Sequence, residues 1–211
     1  MRVLDNGYMT QQQIKRFLDS YSSKRERTIV IIDFSNVEKW KDALGWDIGI
    51  KELGQLMKNL TSGSKFLRRF YYGSDYGPSE SATTLLPWSK GMLEQAKVSG
   101  FEVVTKRVKY MPSQTNPKGH DVKCDLDVEM SIDLIKERDN YDTMFLFSGD
   151  GDLAYAMKYL QDEYSKECYV FGARGHVGRE IIDAKDKGII KDLFFAEDFE
   201  YRLSYQRRFN R

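Results

Sequence analysis

The sequence predicts an α/β fold of three layers, α/β/α, with a mainly parallel central sheet of five or six strands. Three observations predict it. Apolar, β-rich runs alternate with segments of helical periodicity from residue 28 onward. Two of those runs, 28–32 and 144–147, show no alternation, the first β-branched throughout and the second apolar throughout, as strands are when both faces of a parallel sheet are covered. Each is followed by an acid as the chain leaves the strand, Asp33 after the first and Asp150 with Asp152 after the second. Ligands of open α/β sheets bind at the carboxyl ends of the strands. Acids there ask for a chemical explanation more than acids on a helix face do, although Asp152 could also cap the helix that follows.

The elements follow in order. Ile14, Phe17, Leu18 and Tyr21 recur at helical spacing, so an amphipathic helix precedes the main domain and has an apolar face for the core or for a second copy, a possible homodimer. Residues 22–27 are a polar linker, and 28–32 form the first strand. Ile50, Leu53, Met57 and Leu60 make a helical stripe, and residues 65–72 a second strand. Trp88, Met92, Leu93 and Ala96 lie on a helix closed by Gly100. Residues 101–105 begin a third strand, and 111–119, with Pro112 and Pro117, read as a loop. A further helix covers about 123–137. Strand 144–147, a helix through Leu153, Met157 and Leu160, and strand Glu167–Gly172 come next. The glycine-rich residues 172–178 turn into a short helix through Ile181 and Ile182, and 188–195 is the last strand. The chain thus divides into an N-terminal helix and linker (1–26), a main domain (27–196) and a basic, aromatic tail (197–211) that could stack on and charge-pair with a nucleic-acid strand.

Composition bounds the function more by exclusion than by choice. Lys+Arg 33 against Asp+Glu 32 leaves a net charge of +1, so no basic coat is present, and any nucleic-acid contact must come from local clusters. Such a cluster borders the 111–119 loop: Lys106, Arg107, Lys109, Lys118 and Lys123. Arg174 and His176, in the glycine-rich turn, are further candidates for a phosphate. The two cysteines form no metal-type pair, which excludes a zinc site of the usual spacing and fits a reducing compartment. No stretch is long and apolar enough for a membrane span and the first residues carry no signal core, so the expected location is cytoplasmic.

The helix over 123–137 contains one acid that is out of place. On a wheel of about 100° per residue with Leu126 at zero, Asp125, Glu129 and Asp133 share an arc that reads as solvated, whereas Asp127 falls near 100°, between apolar arcs. A carboxylate turned inward needs a cation, a hydrogen bond or a metal. Right-handed crossovers bring the carboxyl ends of successive strands to one edge, so Asp33, Asp127, Asp150 and Asp152 converge there. Four carboxylates in one pocket require protons or hard cations between them, and an all-oxygen donor set favours Mg²⁺ or Mn²⁺.

Three stretches in this order and spacing, 32–36 (Ile-Asp-Phe-Ser-Asn), 127–134 (Asp-Val-Glu-Met-Ser-Ile-Asp-Leu) and 147–153 (Phe-Ser-Gly-Asp-Gly-Asp-Leu), resemble the motifs of NYN domains, the LabA-like branch of PIN-like nucleases. The resemblance covers roughly residues 27–196. It implies the PIN-like fold and a metal-dependent ribonuclease, with Asp33, Asp127, Asp150 and Asp152 as metal ligands and RNA as the partner. Asn36, Ser148 and Asp133 are then supporting residues. The implied reaction is hydrolysis by two ions about 4 Å apart, one activating water and one stabilising the leaving oxygen. Two readings from other classes stand beside it. One is a regulatory module that binds RNA or protein without cutting. The other is a phosphatase with Asp33 as nucleophile, against which Ser35 stands where a second acid is wanted.

Overall fold

A computed structural model describes residues 11–22, 27–61, 66–117 and 119–205. Helix α1 (Gln11–Ser22) leads into strand β1 (Thr28–Asp33), whose six residues are all buried. The chain then turns through α2 (Phe34–Val37), a 3₁₀ turn at Glu38–Trp40, α3 (Lys41–Leu44) and α4 (Ile50–Leu60) before β2 (Phe66–Ser74). Helix α5 (Pro87–Val98) connects to β3 (Glu102–Arg107). A small hairpin of β4 (Lys109–Pro112) and β5 (His120–Lys123) follows, then α6 (Asp127–Lys136) and β6 (Thr143–Phe147). The chain finishes with α7 (Ala154–Tyr164), β7 (Glu167–Gly172), α8 (Arg179–Asp186), β8 (Asp192–Phe195) and α9 (Glu200–Leu203).

The main sheet has six strands in the order β3-β2-β1-β6-β7-β8, every neighbouring pair parallel. The first three strands are laid down outward on one side of β1 and the last three outward on the other. The order reverses between β1 and β6, which opens a crevice at their carboxyl ends.

The uninterrupted apolar runs are explained by period-two burial. Val30, Ile32, Phe145 and Phe147 enter one core layer with α1, α4 and α5; Ile29, Ile31, Met144 and Leu146 enter the opposite layer with α6, α7 and α8. Each such side chain, taken wholly out of water, contributes about 1.5–3 kcal/mol.

The two segments set apart by sequence join this core. Leu18 and Tyr21 of α1 are buried, with the Phe17 ring 4.4 Å from Phe194 and the Tyr21 ring 4.7 Å from Phe145. The expected homodimer through this helix therefore loses its surface, because these side chains are spent inside their own chain. The side chain of Ile14 lies outside the described residues. Phe199 and Leu203 are fully buried as well, and Ser204 bridges to Ile48, so the start of the tail closes over the N-terminus of α4. Residues 206–211, which hold the rest of the basic and aromatic tail, lie outside the described residues.

Three expectations need correction. The 111–119 loop is the turn of a β-hairpin: Tyr110 pairs with Val122, and the Tyr110 hydroxyl donates to both carboxylate oxygens of the buried Asp75 at 2.7 and 2.9 Å, pinning the hairpin to the end of β2. Helix α6 starts at Asp127 and not near Lys123, which belongs to β5. The last strand is shorter than 188–195, since the chain reaches β8 through turns at residues 187–191.

Candidate functional site

Asp33 ends β1 and at the same time caps α2, its Oδ1 accepting the Asn36 backbone N–H at 3.2 Å. It is 6 % exposed. Burial pushes its carboxyl up to about 6, with Asp150 adding to the rise and the hydrogen bonds from Ser148 and Asn36 opposing it.

On the neighbouring strand, the fully buried Ser148 hydroxyl donates to Asp33 Oδ2 at 2.9 Å and accepts the Asp150 N–H at 3.1 Å. One hydroxyl therefore ties the acid of β1 to the acid loop after β6. Asn36 makes the second tie. Its side-chain Oδ1 accepts the Gly149 N–H and the Trp40 indole N–H, each at 2.9 Å. Asn36 thus positions the loop with its side chain and Asp33 with its backbone, a division of labour that the residue type alone does not reveal.

Asp150 caps the 3₁₀ turn at Gly151–Leu153 by accepting the Asp152 N–H at 3.1 Å. The loop is held from behind by the glycine-rich segment. A Cβ built on Gly149 would lie 1.8 Å from the His176 carbonyl oxygen, and the Gly178 N–H donates to Gly149 O at 2.7 Å. Glycine at 149 is required by this close approach of two backbones.

Asp127 opens α6, its N–H donating to Asp125 Oδ1 at 3.0 Å. Its carboxyl is pushed up to about 7, first by burial, then by Asp125, Asp150 and Asp33. Carboxylate oxygens of Asp127, Asp150 and Asp152 lie within 4.8 Å of one another. Asp33 lines the same cavity of about 210 Å³, together with Lys39 and Asp125. The donor set is all oxygen, and two of its acids are held above their ordinary range by burial and mutual repulsion. A hard divalent cation fits such a set, since it replaces the protons that the acids otherwise retain.

The remaining predicted residues fall elsewhere. Asp133 is not on a solvated face and does not reach the cavity. It accepts the Tyr71 hydroxyl at 2.8 Å and lies 3.3 Å from the buried Arg69 guanidinium, which also binds Glu137 and Glu102. Val128 and Ile132, which form one of the apolar arcs beside Asp127, are 66 and 51 % exposed. The arc of Leu126, Met130 and Leu134 is buried as the wheel expects; the wheel misjudges Asp133 because the cation that draws it inward comes from β2.

Arg174 is engaged by the C-terminal segment, 3.3 Å from Asp198, with its guanidinium over the Phe195 ring. This ion pair engages part of a guanidinium that remains 43 % exposed. His176 presents its backbone carbonyl to Gly149, and no side-chain contact to the cavity is seen among the described residues. Lys123 lies on the hairpin beside the cavity, and Lys118 is outside the described residues. Asp125, read from the sequence as part of the solvated arc, and Lys39 also line the cavity. Asp125 could be suspected from its spacing two residues before Asp127; Lys39 has no such signal.

With this geometry in view, comparison with known proteins becomes informative. The solved structure of VPA0982, a protein of unknown function from Vibrio parahaemolyticus, superposes with a TM-score of 0.61 at 20 % identity, covering 85 % of this chain and 96 % of that one, a likeness of fold. The Low amplitude and bright protein LabA of Synechococcus elongatus is 32 % identical over 90 residues, 43 % of this chain and 48 % of that protein. The chain therefore spans about half the length of this curated relative. The NYN domain pattern matches residues 27–193, from the start of β1 into β8, and spans every acid of the cavity. The chain belongs to the NYN domain family.

Proposed function

We propose that this protein is a metal-dependent ribonuclease that hydrolyses RNA phosphodiester bonds. The observation that carries the reading is the convergence of Asp127, Asp150 and Asp152 within 4.8 Å at the crevice where strand order reverses, with Asp33 in the same cavity. A divalent cation bound there supplies a Lewis acid to the phosphoryl oxygen and lowers the pKa of attacking water.

The chain's own residues do the rest. Asp127, Asp150 and Asp152 would hold the cation, with Asp33 alongside. Ser148 and Asn36 keep Asp33 and Asp150 in register, as hydrogen-bonded supports of ligands do. Asp152, the most exposed of the acids, is open to solvent and so able to orient water. Lys39 at the rim offers positive charge to the phosphate. Water oxygen attacks phosphorus, the bond to the 3′ oxygen breaks, and that oxygen leaves with a proton, giving 5′-phosphate and 3′-hydroxyl ends. The described residues place no serine, histidine and acid together for a covalent route; Ser148 is occupied by Asp33 and Asp150.

The test is cleavage of an end-labelled, unstructured RNA with Mg²⁺ or Mn²⁺ by the wild type, Asp150→Asn and Asp133→Asn. The expected result is loss of cleavage in Asp150→Asn only. Undiminished metal-dependent cleavage by Asp150→Asn refutes the assignment. RNA binding that persists in chelator, with no cleavage under any divalent ion, favours the regulatory module instead.

A further inference from the structure

Beside the acid cavity lies a second cleft of about 550 Å³, within the usual size range of ligand sites. The two are continuous, sharing Ser35, Lys39, Cys124 and Asp125. The hairpin forms one wall with Val122 and Lys123, and the first turn of α5 forms the other with Trp88. The Tyr72 hydroxyl, which donates to Glu38 at 2.6 Å, lies among the lining groups.

Trp88 is the unusual member. Of the three tryptophans, Trp40 is fully buried and Trp46 packs partly against the core, while Trp88 is 50 % exposed. A large flat side chain half in water, with a lysine between it and a phosphodiester-type site and another on the opposite wall, has the composition of a stacking platform for unpaired bases. The wall it faces is fixed in place, because Tyr110 and Asp75 lock the hairpin to β2.

We propose that this cleft seats an unpaired base of single-stranded RNA next to the scissile phosphate, stacked on the Trp88 indole. Lys39, common to both cavities, meets the connecting phosphate, and Lys123 meets the next one along. A paired base has both faces covered by its neighbours, so the cleft selects single strands. Three acids line the cleft beside the two lysines: Asp75 is buried under Tyr110, the Glu38 carboxylate accepts from Tyr72 and is shifted upward by burial, and Asp125 sits at the junction with the acid cavity, where the proposed cation would offset it.

The assignment rests on the nuclease reading for the direction of the strand, yet the two fail separately. Fluorescence anisotropy with a labelled, unstructured RNA of about ten nucleotides, in chelator at low salt, measures the cleft without cleavage. Trp88→Ala is expected to weaken binding by about tenfold or more, Trp88→Phe to retain most of it, and Trp46→Phe to bind as wild type. The same sequence as a duplex is expected to bind equally with and without Trp88. Circular dichroism confirms that each variant is folded.

Wild-type affinity in Trp88→Ala, or no RNA binding by the wild type, overturns the proposal. A Trp88 dependence seen for a peptide or a duplex but not for the single strand overturns it too. If Trp88→Ala binds normally while metal-dependent cleavage persists, only the cleft assignment falls. If Trp88 matters for binding and no divalent ion supports cleavage, the nuclease reading falls and the cleft stands.

Discussion

Cation binding at the acid cavity is expected to weaken steeply as the pH falls, in a way that the geometry makes quantitative. Asp33 and Asp127 carry protons up to about 6 and about 7 because burial and neighbouring acids penalise their charged forms. A divalent ion must displace those protons. For a group at about 6, that competition weakens apparent affinity about fourfold at about pH 5.5 relative to about pH 7.5. Asp127 at about 7 adds up to about twenty-five-fold on the same scale, but it is only partly buried and solvent screens it, so the combined effect expected is roughly tenfold to a hundredfold.

Isothermal titration with Mn²⁺ at the two pH values reads the affinity, and repeating it in buffers of different ionisation heat counts the protons released. At least one proton is expected near pH 5.5 and close to none near pH 7.5. The metal-free protein gives an independent sign. A folded-state carboxyl raised above its ordinary value of 3.8 binds protons that the unfolded chain has released, so its contribution to stability is fully present below about pH 4 and is lost as pH rises through about 6 to 7. Thermal stability without metal should therefore fall as pH rises through that window and recover on adding Mn²⁺. An affinity independent of pH, with no proton release, refutes the placement of the cation among these acids.

Two substitutions separate the site from its scaffold. Asp133→Asn leaves one of the acids around Arg69 uncharged and is expected to cost about 1–3 kcal/mol in chemical denaturation while leaving Mn²⁺ affinity unchanged; a loss of metal affinity there would return Asp133 to the site. Gly149→Ala drives a methyl to 1.8 Å from a backbone carbonyl that has no side-chain freedom to yield, and is expected to destabilise by about 1–3 kcal/mol and to weaken metal binding by displacing Asp150. Unchanged stability in that variant would show that the glycine-rich segment is not the buttress of the acid loop.

The sheet was legible because its signal is local. Residues 29–32 and 144–147 are apolar at every position, which only a strand covered on both sides tolerates, and both lie at the centre of the sheet. Asp33 and Asp150 were legible for the same reason, as the first acids after those strands. The hairpin was not, since Lys109–Pro112 and His120–Lys123 are short, mostly polar and largely exposed, and the hairpin is anchored to the sheet by a tyrosine reaching an aspartate 35 positions away. Asp133 failed for a similar reason: its partners, Tyr71 and Arg69, lie on β2 and leave no mark on the periodicity of α6.

Long-range hydrogen bonds also explain how the protein keeps mutually repelling acids together without relying on the cation alone. Asp33 and Asp150 are 117 positions apart, and their separation is fixed by neutral groups: the Ser148 hydroxyl between them, the Asn36 carbonyl oxygen on Gly149, and the Gly178 N–H behind the loop. None of these contacts depends on the charge state of the acids they surround, apart from the hydroxyl's own donation to Asp33. The geometry is therefore set by folding, and protonation or cation binding changes the charge inside a frame that already exists. Such a frame spends no binding free energy on gathering its ligands, which is what a weakly held divalent cation would require of these acids.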